Sequence, residues 1–357
     1  MIRTLSLLLL AACTAPIGGD DDTVDDTDDV DLARHTHAVV TTTDFAVGGL
    51  STVSLDVFTV ADDLVPTSAD PTVQVQGGRV FQINGFGVDT VSVYAPGQWA
   101  APEVQFSTGS GTNPQRVALH DAGLFVSLYE QDAIGIFDPA DGASLGTVDL
   151  SAYAGSDGLP EASTMVVIGD RIYVALERLN RDDGWGDDGG RVVAVDALTR
   201  EVVQAWEVGP SPQVYLHPSD PTALLVRTGS YGNLDGALAV LHPSKGAPEA
   251  PFVTSEDLGY SIAAYAGAPS GHGVIVGEHA DFTYSLKCVS PEGEVTDLFG
   301  PTADWITGPA VDDQGRAWVA VRSFAGPSGL LVADVAACEV LEERVETALP
   351  PYRIAFY

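Results

Sequence analysis

Three cysteines are the residues of this chain most plainly placed to do chemistry. Cys13 follows Leu10-Ala11-Ala12, after a basic start at Arg3 and an apolar run, Leu5 to Leu10, broken only by Ser6. Residues 1–12 thus read as a secretory signal peptide, too short to span a bilayer as a stable helix, with a thiol directly behind its small-residue pair. In an oxidising compartment Cys288 and Cys338 either join in one disulfide or stay as two buried thiols, and the sequence leaves both open. The stretch Arg178 to Gly190, RLNRDDGWGDDGG, has the Asn, Asp and Gly content of a loop that wraps Ca²⁺, but neither the spacing nor the closing Glu of an EF-hand. Ca²⁺ is therefore a weak cofactor candidate, and no metal ligands are assigned. His35-Thr36-His37 would set two imidazoles on one side of a strand, with no third ligand in view. No Gly-x-Ser-x-Gly elbow, His-Glu-x-x-His pair, Cys-x-x-Cys-His site or phosphate loop occurs. No catalytic residue is named, and any active site would have to be assembled from distant segments.

Charge narrows the partners. The chain has 50 acidic and 16 basic residues, for a formal charge of −34. Eight of the Asp lie in the run IGGDDDTVDDTDDVD from Ile17 to Asp31, which has no base and little apolar surface to bury. Residues 13–34 are therefore expected to form a solvated, self-repelling tether. Setting aside Arg3 and those eight Asp leaves −27 on the remainder. Nucleic acid and direct adhesion to anionic lipid are both excluded by that balance. No later apolar run approaches the roughly 18 residues of a membrane span.

The elements that must position any site are short strands. Segments with a helical period are missing from residues 35–357, and alternating segments bounded by turn residues recur. One apolar unit repeats at 79–83, 124–128, 171–176, 223–226, 274–276 and 317–321. A second follows each, at 91–96, 135–139, 192–196, 238–243, 286–291 and 330–334, often closing on Asp or Pro. A period of forty to fifty residues with about four strands per unit predicts an all-β propeller, because a ring of small sheets buries both faces of each. Six blades are expected at about 71–106, 114–150, 163–208, 212–255, 260–299 and 307–343. Ala38 to Val65 is one strand short of a blade, and the tail PPYRIAFY resembles the innermost strand that opens other blades, such as NPQRVAL at 113–119. The last strand should therefore complete the first blade and seal a ring of seven, with six or eight as alternatives.

In such a ring the loops from second to third strands share a face with those entering the innermost strands. Stacking the repeats puts Phe86, Tyr129, Glu130, Glu177, Arg178, Arg227, Glu278, His279 and Arg322 at or near the ends of second strands, with Trp185 at the tip of the longest loop. Acids, bases and aromatics converging there would suit a polar ligand, a peptide or a sugar. Mutual ion pairing on a solvated rim is the competing account. Cys288 and Cys338 fall about one blade apart, near the ends of third strands in neighbouring blades.

Units such as Asp170-Arg171-Ile172-Tyr173-Val174-Ala175, followed by Gly190-Arg191-Val192-Val193-Ala194-Val195-Asp196-Ala197-Leu198-Thr199, resemble the repeats of YVTN-type propellers. Those belong with the quinoprotein-dehydrogenase-like and surface-layer propellers, although the literal Tyr-Val-Thr-Asn motif is absent here. The segment from Asp157 to Trp185 is similar to uncharacterised propellers of bacterial envelope lipoproteins. The start of the chain resembles a lipobox, in which the Cys is diacylated and becomes residue one. By that resemblance Cys13 is the lipidation site and the acyl chains are the only membrane contact. Thr14 behind it implies the outer membrane. The expected function is a lipid-anchored envelope module that binds a protein, peptide or glycan, or acts as a scaffold. A hydrolase or oxidoreductase with a metal or quinone site at the channel mouth is the alternative.

Overall fold

The computed structural model describes residues 34–230 and 232–357. The signal peptide, Cys13 and the acidic run lie outside them. Seven four-stranded antiparallel sheets follow one another in chain order. We number these blades one to seven and their strands from the innermost outward. Blade two is Pro71–Gln76, Arg79–Asn84, Thr90–Tyr94 and Val104–Ser107; blade three is Pro114–His120, Gly123–Leu128, Ala133–Phe137 and Ser144–Asp149. Blade four is Ala162–Ile168, Arg171–Leu176, Arg191–Asp196 and Glu201–Glu207, with a small hairpin, Leu179–Asn180 and Gly186–Asp187, inserted after its second strand. Blade five is Gln213–His217, Asp220–Thr228, Ala237–Leu241 and Val253–Thr254. Blade six is Ser261–Gly267, Gly273–Glu278, Tyr284–Val289 and Val295–Thr302, and blade seven is Trp305–Val311, Arg316–Arg322, Gly329–Asp334 and Glu339–Glu346.

Blade one is composite. Its outer three strands are His37–Thr43, Gly48–Ser54 and Val60–Thr67, and its innermost is the tail, Pro351–Phe356. The tail runs antiparallel to His37–Thr43, with Ala38 opposite Phe356 and Val40 opposite Ile354. The ring is therefore sealed by pairing the end of the domain with its beginning, as the repeat pattern predicts. His35 stacks on Phe356 and His37 on Tyr357, with ring centroids 5.8 and 5.4 Å apart. The two imidazoles clamp the closing strand.

Why these segments form blades follows from burial. Second and third strands are covered on both faces by neighbouring blades, so they are apolar almost throughout; Gly123–Leu128 is buried at every position. Outermost strands alternate, as in Glu339–Glu346. Blade five is the exception: only Val253–Thr254 pairs on its outer edge. The stretch before them carries Pro243, Pro248 and Pro251, which lack the N–H a ladder requires. Seven apolar clusters hold the described residues together, each spanning the seam between adjacent blades. Phe125 and Ile136 of blade three meet Ile172 and Val174 of blade four in one; Trp318 and Val332 of blade seven meet Ala38 and Val40 of blade one in another. Cys288 and Cys338 are joined by a disulfide, with Cα atoms 5.8 Å apart, that staples blade six to blade seven. Among the described residues no helix is long and apolar enough to cross a membrane.

Candidate functional site

Second-to-third-strand loops open on one face of the ring, and their tips are apolar. Phe45 in blade one is 46% exposed, Phe86 in blade two 74%, Trp185 in blade four 58%, Leu234 in blade five 52%, Phe282 in blade six 64% and Phe324 in blade seven 73%. Blade three has a short turn there whose aromatic, Tyr129, is half-buried. Scattered surface hydrophobics are ordinary, but exposed apolar tips on six of the seven loops of one face are not. Four of the tips also sit in left-handed backbone: Phe45 at φ 67°, Phe86 at 48°, Trp185 at 68° and Phe282 at 61°. A bulky residue there costs roughly 1–2 kcal/mol over glycine-like freedom. Phe58, another such aromatic, is accounted for by packing against Trp318. The four tips have no comparable burial, although Phe45 leans on Trp305 and Tyr352 and carries the Arg322 guanidinium over its ring at 4.7 Å.

Beneath Trp185 lies a polar network centred on Arg181. The blade-four hairpin turns this side chain back over the face, where it pairs with Glu130, with Glu161 at 3.0 Å and with Asp157 at 4.0 Å. Its guanidinium also stacks on the rings of Trp185 and Tyr129, at 5.1 and 5.9 Å. Glu161, on the loop entering blade four, is fully buried and accepts the Leu179 N–H. Burial pushes its carboxyl up to about 7, only partly opposed by the Leu179 amide and Arg181. Tyr129 donates its hydroxyl to Glu177 Oε2 at 2.9 Å. Enclosure by the ring raises the Glu177 carboxyl as well.

Three of the residues singled out from sequence converge. Glu177, Arg227 and Glu278 line one cavity of about 330 Å³ at the mouth of the ring, with Trp305 and Tyr284. Arg227 is buried and donates to the carbonyls of Ser211 and Ala263, both at 2.9 Å. Glu278 accepts the Tyr284 hydroxyl at 3.2 Å. Tyr129 and Glu130 join the Arg181 network instead. The others do structural work. Arg178 turns into its own loop and donates to the carbonyls of Ala154, Asp188 and Gly189. His279 bonds Ser285 Oγ at 2.8 Å and leans on Tyr260, and Arg322 donates to the carbonyls of Thr43 and Asp44. Sequence reasoning missed Arg181, Glu161 and Asp157. The signal was present in Arg181, the second base of an otherwise acidic loop. In that loop Asn180 caps the backbone of Asp182 and Asp183, while Asp188 takes Ser156. Among the described residues no three His, Cys, Asp or Glu side chains gather as a metal site needs.

Fold and face together define a seven-bladed β-propeller with an apolar-tipped loop face around a charged mouth. No family model matches the sequence, and no curated protein matches it. Solved structures share the architecture. Hydrazine synthase of Kuenenia stuttgartiensis aligns at TM-score 0.58 and 15% identity, over 74% of this chain and 76% of that one. The β-propeller domain of the Trilobed protease from Pyrococcus furiosus, described as having an open velcro topology, aligns at 0.54 and 11%, over 84% and 93%. Apo AztD from Citrobacter koseri aligns at 0.51 and 12%, over 90% and 97%. At these identities the likeness shows the fold alone.

Proposed function

We propose that this chain is a binding module of the bacterial envelope, held at the outer membrane by lipid on Cys13 and presenting its loop face to a protein partner. One observation carries the reading. Phe86, Trp185 and Phe282 occupy backbone that glycine or asparagine would fill at lower cost, while their side chains stay exposed. Strain kept without compensating burial points to a use outside the fold. Exposed aromatics are the side chains that protein interfaces enrich and use as anchors. The acidic run of residues 17–31 would serve as a solvated spacer between the lipid and the domain. The test replaces Phe86, Trp185 and Phe282 with Asn in the full chain and places a photo-crosslinking residue at Phe324. The wild type should capture a discrete envelope protein, and the triple variant should lose it while melting no lower. Undiminished capture by the variant would refute the reading. Labelled palmitate should enter the wild type and not C13S.

The enzyme reading has one observation in its favour: Glu177 and Glu278 share a cavity with Arg227. A bound chromophore or stoichiometric metal in the purified chain would support it.

A further inference from the structure

The channel through the ring holds a second cavity, of about 490 Å³, to which all seven innermost strands contribute. Its charge is opposite to that of the molecule. Arg116 and Arg353 line it, and no Asp or Glu does, in a chain where acids outnumber bases 50 to 16. Both are third residues of innermost strands, Pro114–His120 in blade three and Pro351–Phe356 in blade one. Neither has a carboxylate within 4 Å among the ion pairs of the described residues. Arg116 donates to Thr72 Oγ1 at 3.3 Å and to the Gln115 carbonyl at 2.8 Å. Arg353 donates to Thr307 Oγ1 at 3.1 Å and the Tyr352 hydroxyl at 3.4 Å, and its Nε is buried with no hydrogen-bond partner. Asp70 and Glu177 are the acids whose charge reaches Arg116, and neither lines the cavity. Burial, then the like charge of Arg353, pulls the Arg116 guanidinium down to about 10. Two half-buried guanidinium groups whose partners are all neutral leave N–H donors free for an anion.

We propose that the channel is a binding site for a small oxyanion, a carboxylate- or phosphate-bearing solute held by Arg116 and Arg353 with the hydroxyls of Thr72 and Thr307. Guanidinium forks match carboxylate and phosphate oxygens in pairs. A cavity of this size takes a compact polyanion whole. This cavity shares Ala263, Ala264 and Thr307 with the mouth cavity, but Phe86, Trp185 and Phe282 line neither, so partner loss in the Asn variants would leave the site intact.

The test is calorimetric titration of the full chain with citrate and with inorganic phosphate, at ionic strength fixed with sodium chloride. One saturable site is expected for at least one of them, and the stronger binder assigns the ligand to the carboxylates or the phosphates. R116Q and R353Q should each weaken it about 10- to 100-fold, the cost of losing a charged hydrogen-bond partner. R191Q, at the start of the third strand of blade four and paired with Glu207, should not change it. Should the Gln variants fail to fold, wild-type crystals soaked in selenate should show anomalous density between the two guanidinia. Absence of saturable binding by the wild type, equal affinity in folded Gln variants, or density only outside the channel would overturn the proposal.

Discussion

Removing one ring from the closing strand tests how the circle is held. Phe356 is 8% exposed and belongs to the seam cluster of Ala38, Val40, Trp318, Ala320 and Leu330. Its ring meets Trp318 edge-on at 6.2 Å and His35 face-on at 5.8 Å. Phe356→Ala should cost about 3–5 kcal/mol, combining lost transfer energy with the cavity left between two blades. Over the roughly 320 residues of the propeller, an unfolding entropy near 2.1 cal/mol/K per residue makes each kcal/mol worth about 1.5 °C. The melting midpoint should therefore fall by about 4–7 °C in scanning calorimetry. Leu341→Ala, on the outermost strand of blade seven and 50% exposed, is the control and should shift it by less than about 1 °C. Equal shifts in the two variants would mean that the tail does not seal the ring.

Three other outcomes are expected. C288S/C338S removes a link closing a segment of 50 residues, which chain entropy values at about 4 kcal/mol, so denaturant midpoints with and without reductant should differ in the wild type and coincide in the variant. Glu161 titrates near 7 when folded against 4.5 when free, so the folded state binds more protons between those values and stability falls as pH rises through that window, by up to ~3 kcal/mol; urea titrations at pH 5 and pH 8 should show it, and E161Q should flatten it. R178M strips one cation from three loop carbonyls, so proteolytic nicking between Arg181 and Asp188 should accelerate roughly tenfold while global melting stays within a few degrees.

Much of the ring is legible in the sequence because its central strands are buried twice over. Arg171–Leu176 and Arg191–Asp196 are flanked by strands within blade four and capped by blades on both sides, so a continuous apolar run is forced on them. The turns that follow third strands are written locally as well: Asp138, Asp196 and Asp334 each accept backbone N–H groups two or three residues on. Outer strands are harder to bound, since one face is solvent. Blade seven reaches Glu346 where the pattern stops at 343, because Glu342, Glu343 and Glu346 read as loop until their strand partners are known.

The face is less legible, for a different physical reason. Side chains at the end of a second strand are fixed by strand pairing, so stacking repeats brought Glu177, Arg227 and Glu278 to one mouth. Beyond the last paired residue the loop decides. Arg178 and Arg181 stand three apart in one segment, yet the hairpin of Leu179–Asn180 and Gly186–Asp187 sends the first inward to carbonyls and the second outward to carboxylates. Phe86 and Phe282 are single exposed residues in sequence, and only their positive φ reveals that the fold would prefer something else there. The same split separates stability from recognition. Phe86, Trp185, Phe282 and Phe324 belong to none of the seven seam clusters, so these tips can change without disturbing the seams, whereas the channel cavity is bordered by seam residues such as Met165, Tyr265 and Ile354.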